Sequence, residues 1–238
     1  MTDYQIVTSK EPLEHILKEI TVIILGETGI GKTQMAATFP NPIFIDLDQG
    51  GQFVSATRVI PRNMRELETV IRDLEIKFSK SDCPYDTIVV DTVDEMVSMV
   101  KTDLLGTADK MTQDKWDRLL NRVMPMLGRL KKINSNLVIC AQTKTISSDD
   151  GGPANISLAI PSSAKSRIPQ MAGWIFHLRL DNDGKVVALT KPARGKAGQF
   201  QAKDRSGLLP TTIEPTYNAF VEALREAFAK QEGVEEND

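Results

Sequence analysis

The segment Gly26-Glu27-Thr28-Gly29-Ile30-Gly31-Lys32-Thr33 carries the clearest chemistry in the chain. Its pattern is glycine, four residues, glycine, lysine, threonine, directly after the apolar run Thr21–Leu25. Glycines let a backbone turn tightly and approach a ligand closely. Successive N–H groups from Gly29 to Thr33 can then converge on one anion. The stretch from Lys32 to Phe39 reads as a helix, whose positive N-terminal end adds to the same site. In such a loop Lys32 reaches the β- and γ-phosphates of a nucleotide, and the Thr33 hydroxyl ligates Mg²⁺. A plain glycine-rich turn is the competing reading. The strand before and the helix after favour the nucleotide.

Four further residues fall where such chemistry needs them. Asp91 ends the apolar run Asp86–Thr92, the place for a second Mg²⁺ partner. An Asp there can cap the next helix as well. Asp94 and Glu95 follow, and read as helix-start charges. Asp46 and Asp48 close the run from Pro42, before Gly50-Gly51. A carboxylate here can polarise the attacking water. Asp48 is the better placed of the two, and a turn-forming Asp before glycines is the bland alternative. Gln142 ends a fourth run, Asn136–Thr143. A buried strand rarely ends in an unpartnered amide, and the γ-phosphate or its water is a natural partner.

These residues require a scaffold that gathers strand ends. Of the four apolar runs at 21–25, 42–48, 86–92 and 136–143, three are nearly unbroken, as for strands covered on both faces. Helical patterns at 32–39, 63–78 and 112–134 lie between them, and Pro125 should kink or divide the last. Alternation of this kind predicts an α/β fold, a mostly parallel sheet flanked by helices, with ligands at the strand C-termini. Residues 145–170 read as a long polar loop, of the sort that is functional or disordered. Asp181-Asn182-Asp183-Gly184 between two apolar runs predicts a β-hairpin extension. Residues 215–231 read as a C-terminal helix. The expected organisation is one domain over 1–231 and an acidic, disordered tail over 232–238.

Bulk properties set limits. At 238 residues the chain can bury a substantial core. No apolar run approaches the ~20 residues of a membrane span, and the polar N-terminus is no signal peptide. No membrane association and a cytoplasmic location are therefore expected. Two cysteines and two histidines argue for a reducing compartment and against a metal cluster. Net charge is −3, yet residues 141–210 hold ten Lys/Arg against five Asp/Glu. That imbalance suits a nucleic-acid face, and equally an ordinary solvated surface.

Taken in order, Gly26–Thr33, the run ending in Asp46 and Asp48, the run ending in Asp91, the run ending in Gln142, a long loop and a hairpin resemble the RecA-like P-loop ATPase core. Within it the chain is most similar to the short phage RecA-like single-strand-annealing recombinases. The local matches are "NPIFIDLDQGG", "TKPARGK" and "AKDRSGLLP", and the likeness covers roughly residues 20 to 228. The resemblance implies ATP and Mg²⁺ as ligands, with Gly26, Glu27, Thr28, Gly29, Ile30, Gly31, Lys32 and Thr33 around the phosphates. It implies Asp91 and Thr33 at the metal, Asp48 in place of a catalytic glutamate, and Gln142 as nucleotide sensor. Asp48 is one methylene shorter than that glutamate. The loop 145–170, with Lys165 and Arg167, corresponds to a DNA-binding loop. Lys191 and Arg194 fall where such proteins place cations that reach a neighbour's ATP. The implied function is ATP-dependent single-stranded-DNA binding and annealing by an oligomer or filament, in a phage-infected host's cytoplasm, with a single-strand-binding protein as a possible partner. Two rivals share the motifs: a nucleotide-dependent adaptor of the helicase-loader kind, and a small P-loop kinase.

Overall fold

The computed structural model describes residues 12–108, 110–146, 154–160, 162–195 and 198–235, with backbone alone at 162–166 and 232–235. In chain order the elements are α1 (Leu13–Ile16), β1 (Thr21–Gly26), α2 (Lys32–Ala37), β2 (Pro42–Asp46), a 3-10 turn (Gly50–Phe53), β3 (Thr57–Val59), α3 (Met64–Phe78), β4 (Thr87–Asp91), α4 (Val93–Leu105) and α5 (Gln113–Lys131). There follow β5 (Asn136–Ile146), β6 (Asn155–Leu158), α6 (Ser162–Met171), β7 (Trp174–Leu180), β8 (Val186–Leu189), β9 (Ala193–Gly195), β10 (Gly198–Phe200), β11 (Lys203–Asp204), β12 (Thr212–Ile213) and α7 (Tyr217–Glu235).

The main sheet runs β3-β2-β4-β5-β1-β7-β8-β12. Its pairings from β3 through to β7 are parallel, and β8 and β12 add antiparallel. The unbroken apolar runs have the expected cause, since every residue of β1 and β4 is buried. Alternation within them still sorts the core into two layers. Ile23 and Leu25 join Ile43, Ile45, Ile88, Val90 and Ile139 against α3, α4 and α5. Val22 and Ile24 join Phe44, Val89, Val138 and Phe176 against α2 and α7. The result is a helix–sheet–helix sandwich of the P-loop NTPase type.

Four sequence expectations change. Pro125 does not divide its helix: α5 is continuous from Gln113 to Lys131. Pro125 and Asn121, whose carbonyl it leaves without a donor, are both exposed, so water satisfies what the ladder loses. Meanwhile Leu119, Val123, Met126, Leu127 and Leu130 are buried against the sheet on the other side.

Of the loop expected over 145–170, residues 147–153 and 161 lie outside the described residues, and the described remainder is regular. β5 continues to Ile146, β6 returns antiparallel to it, and α6 follows. β6 also pairs with β10, which pairs with β9. A small second sheet, ordered β5-β6-β10-β9, thereby grows from the end of β5.

The hairpin is not an extension outside the core. β7 pairs in parallel with β1 from Val22↔Trp174 to Leu25↔His177, so it is an internal strand. Its turn closes as its sequence dictates, with Asp181 Oδ1 accepting from the N–H groups of Asp183 and Lys185. At the C-terminus α7 begins at Tyr217 and continues to Glu235, past the boundary expected at 231. Residues 236–238 lie outside the described residues.

Candidate active site

The C-terminal ends of β1, β2 and β4 and the middle of β5 at Gln142 meet around one cavity of about 300 Å³. That volume is at the lower end of the range for small-molecule sites. One wall is Thr28, Gly29, Gly31, Lys32 and Thr33. The opposite wall is Asp48, Gly50, Phe53 and Val54, with Asp91 and Gln142 also lining the space. A groove of about 380 Å³ lies elsewhere, between α1 and α7, crossed by the Arg225–Glu14 ion pair. It has no phosphate-type loop, and the chemistry belongs to the first cavity.

Gly31 caps α2 at φ +104°, a conformation that side chains other than glycine's rarely adopt. That turn sets Lys32 and Thr33 as the first two helical residues. Lys32 is buried, and its Nζ donates to the carbonyls of Gly26 at 3.1 Å and Glu27 at 2.9 Å. The ammonium is thus held across the loop. Glu27 is exposed, while Ile30 packs into the α2-side core.

Thr33 Oγ1 donates to Asp91 Oδ2 at 2.8 Å. Asp91 Oδ1 is buried without a hydrogen-bond partner, as are Asp46 Oδ1 and Thr92 Oγ1. Burial pushes the Asp91 carboxyl up to about 6; the Thr33 hydrogen bond opposes this, and the charges of Asp48 and Asp46 add to it. A hydroxyl beside a carboxylate with a spare, desolvated oxygen fits a hard dication such as Mg²⁺. Among the described residues no group of three or more His, Cys, Asp or Glu could hold a metal unaided. Mg²⁺ takes one or two protein oxygens and completes its shell with phosphate and water.

The two carboxylates of β2 and its end have different surroundings. Asp46 is fully buried, and its Oδ2 pairs with Arg58 at 2.8 Å. Asp48 is exposed and lines the cavity, its Oδ1 accepting from the Gly50 N–H at 2.8 Å. Gly51 makes this arrangement possible. A Cβ at that position would lie 2.9 Å from both Asp46 Oδ2 and Arg58 Cδ, so the turn could not close over the ion pair.

Gln142 stands level with Gly26 in the β1–β5 register. Because β5 lies between β1 and β4, the point where it leaves the main sheet separates the phosphate-type loop from Asp91. The Gln142 N–H donates to Asp94 Oδ2 at 2.7 Å, and its carbonyl accepts from the Ala159 N–H. Burial pushes the Asp94 carboxyl up, against the pull of that Gln142 N–H.

A family comparison matches residues 18–206 to the AAA domain. The chain belongs to the AAA domain family. Such a domain is a P-loop ATPase, which agrees with the loop, the Thr33–Asp91 pair and the cavity between them. No curated protein matches the chain. No helix among the described residues of this AAA domain is long and apolar enough to cross a membrane.

Other expected site residues of the AAA domain lie apart from the cavity. Lys191 follows β8 and its Nζ donates to the Gly207 carbonyl at 3.3 Å. Arg194 is exposed on β9, opposite Gln199. Neither lines the cavity of its own chain. Lys165 and Arg167 sit in α6 rather than in a loop; Arg167 is exposed, and the Lys165 side chain lies outside the described residues. Sequence reasoning missed Arg58 and Phe53 altogether. Gly50-Gly51 beside two aspartates was the available signal, since paired glycines mark a close backbone approach. Asp94 is the helix-start charge expected, on the first turn of α4, but its contact with Gln142 was missed, because that contact depends on how β4 and β5 align.

Proposed function

We propose that this AAA domain hydrolyses ATP with Mg²⁺, binds single-stranded DNA, and promotes annealing or strand pairing as a RecA-like oligomer. The observation that best supports the reading is the position of Gln142. It lies beside the phosphate-type loop and at the point where β5 leaves the main sheet for the small one. A change at the γ-phosphate there has a direct covalent route into the segment that the resemblance assigns to DNA.

In this mechanism Lys32 and the loop N–H groups bind the β- and γ-phosphates. Thr33 and Asp91 would hold Mg²⁺, which would supply charge neutralisation for the transferring phosphoryl group. Asp48, exposed at the cavity wall, orients and polarises the attacking water. Asp46 is engaged with Arg58, which leaves Asp48 as the available base. Gln142 contacts the γ-phosphate or that water. Lys191 and Arg194 act on the nucleotide of a neighbouring subunit, and Lys165 with Arg167 contacts DNA phosphates. The work is set in a phage-infected cell, alongside a single-strand-binding protein.

ATP turnover with and without single-stranded DNA tests the proposal. Stimulation by DNA is the expected result. Stimulation by a nucleoside or nucleotide acceptor instead would make the protein a kinase. Turnover under neither condition would make it a nucleotide-dependent adaptor.

A further inference from the structure

Gln142 is held by its backbone at a corner. The last β4–β5 pair is Asp91↔Cys140, so the Gln142 N–H lies beyond the end of β4 and has no ladder partner on that side. Asp94, on the first turn of α4, supplies the acceptor through Oδ2 at 2.7 Å. On the same edge the Gln142 carbonyl accepts from the Ala159 N–H at 2.9 Å, just after β6. Thr143 already belongs to the small sheet, paired with Leu158. One carboxylate thus fixes the residue at which the strand changes sheets, and it does so from the helix that follows Asp91.

We propose that Asp94 is a positioning residue, which clamps the Gln142 backbone so that its side chain is aimed at the nucleotide. This rests on the reading of Gln142 as a γ-phosphate contact. Asp94 itself does not line the cavity, so it acts through Gln142 and not on the substrate. A carboxylate suits the task because a charged acceptor makes a shorter and stronger bond to an N–H than a neutral one. Placement matters at this level: misplacing a reacting geometry by about 1 Å costs up to ~10²-fold in rate.

The competing role for Asp94 is electrostatic, since Lys32 is close enough to stabilise its charge. Two substitutions separate the roles. Asp94→Asn keeps an oxygen for the Gln142 N–H and removes the charge. Asp94→Glu keeps the charge and moves it by one methylene. The clamp predicts that kcat for ATP falls about tenfold in Asp94→Glu with KM little changed, and that Asp94→Asn restores most of it. A fall in Asp94→Asn with an active Asp94→Glu would overturn the clamp in favour of charge. Full activity in both would overturn it outright.

Gln142→Ala serves as the reference. Combining it with Asp94→Glu should cost no more than Gln142→Ala alone, because both act on one contact. Additive losses would show that Asp94 acts elsewhere. If Gln142→Ala alone keeps full kcat, the γ-phosphate reading fails and the clamp with it. If Gln142→Ala is impaired while Asp94→Glu is not, only the clamp fails. Thermal unfolding of each variant, with ATP present and absent, confirms that the proteins compared are folded.

Discussion

Thr33 and Asp91, 58 positions apart, share one hydrogen bond, and it engages only one of the two carboxylate oxygens. Asp91 is therefore a buried acid with half of its acceptor capacity unused, and its carboxyl is raised to about 6, chiefly by burial. An unfolded Asp titrates near ~3.9. Between those values the folded state binds the proton more tightly than the unfolded chain. Stability is thus lost as pH rises through the folded pKa, and the cost is complete above it. Asp91→Asn should raise the unfolding free energy at pH 7.5 by an amount on the order of 2–3 kcal/mol, seen as a higher unfolding temperature. The advantage should shrink toward pH 4, where the wild-type carboxyl is protonated. The same variant should lose Mg²⁺-dependent turnover. Melts at the two pH values check the first part, and a variant no more stable than wild type at pH 7.5 refutes it.

Asp48→Asn should bind nucleotide normally and turn over more slowly, by ~10²–10⁴-fold if it removes a general base. Asp46→Asn should behave differently, because its target is the Arg58 ion pair. It should destabilise the fold, by roughly 1–3 kcal/mol given that Arg58 is partly exposed. Turnover and thermal melts measured on both variants decide the matter. A silent Asp48→Asn beside a stable, inactive Asp46→Asn would reverse the assignment.

Lys32→Ala should abolish hydrolysis and weaken triphosphate binding, since no other residue of the loop carries positive charge. That variant also tests whether Lys191 and Arg194 serve a neighbour. It keeps both cations, whereas a Lys191→Ala, Arg194→Ala variant keeps its own loop. A cation supplied in trans is worth ~10³–10⁵ in other P-loop enzymes. Mixing the two weak proteins should therefore restore turnover above the sum of their separate rates. Co-assembly without such a gain would remove the trans role.

Lys165→Ala combined with Arg167→Ala should weaken single-stranded-DNA binding and flatten its salt dependence, because phosphate contacts release counterions. The positions lie on α6, so the two residues are carried by a helix and not by a loop. Titrations at two salt concentrations give both affinity and slope. An unchanged slope would leave these cations as ordinary surface charge.

Much of this was legible in the residues. Runs such as Thr21–Leu25 and Thr87–Asp91 are apolar at nearly every position because both faces are covered, and that alone announces a parallel sheet. The phosphate-type loop was legible because its spacing is a backbone requirement, local to eight residues. The placement of β6 and α6 was not. β6 exists only because β5 offers it an edge, and β10, some forty residues on, pairs with it from the other side. Pairings at that separation leave little mark on local pattern. Likewise Arg58 carries no sign of its purpose until β2 and β3 lie side by side and bring it to Asp46. Pro125 fails to divide its helix for the opposite reason: its local preference is strong, but the buried face of α5 outweighs it.

β5 runs from Asn136 to Ile146 as one uninterrupted strand that belongs to two sheets. No loop lies between its two halves to absorb a displacement. Gln142 therefore stands at the fulcrum of a lever whose short arm ends at Ile146, four residues away and roughly 13 Å distant at ~3.3 Å per residue. Tilting that arm by about 10° would carry its tip roughly 2 Å, and β6, β10 and β9 with it, since they hang from it by hydrogen bonds. Arg194 rides on the last of these strands, so a shift too small to notice at the cavity wall becomes a change of reach at the protein's edge.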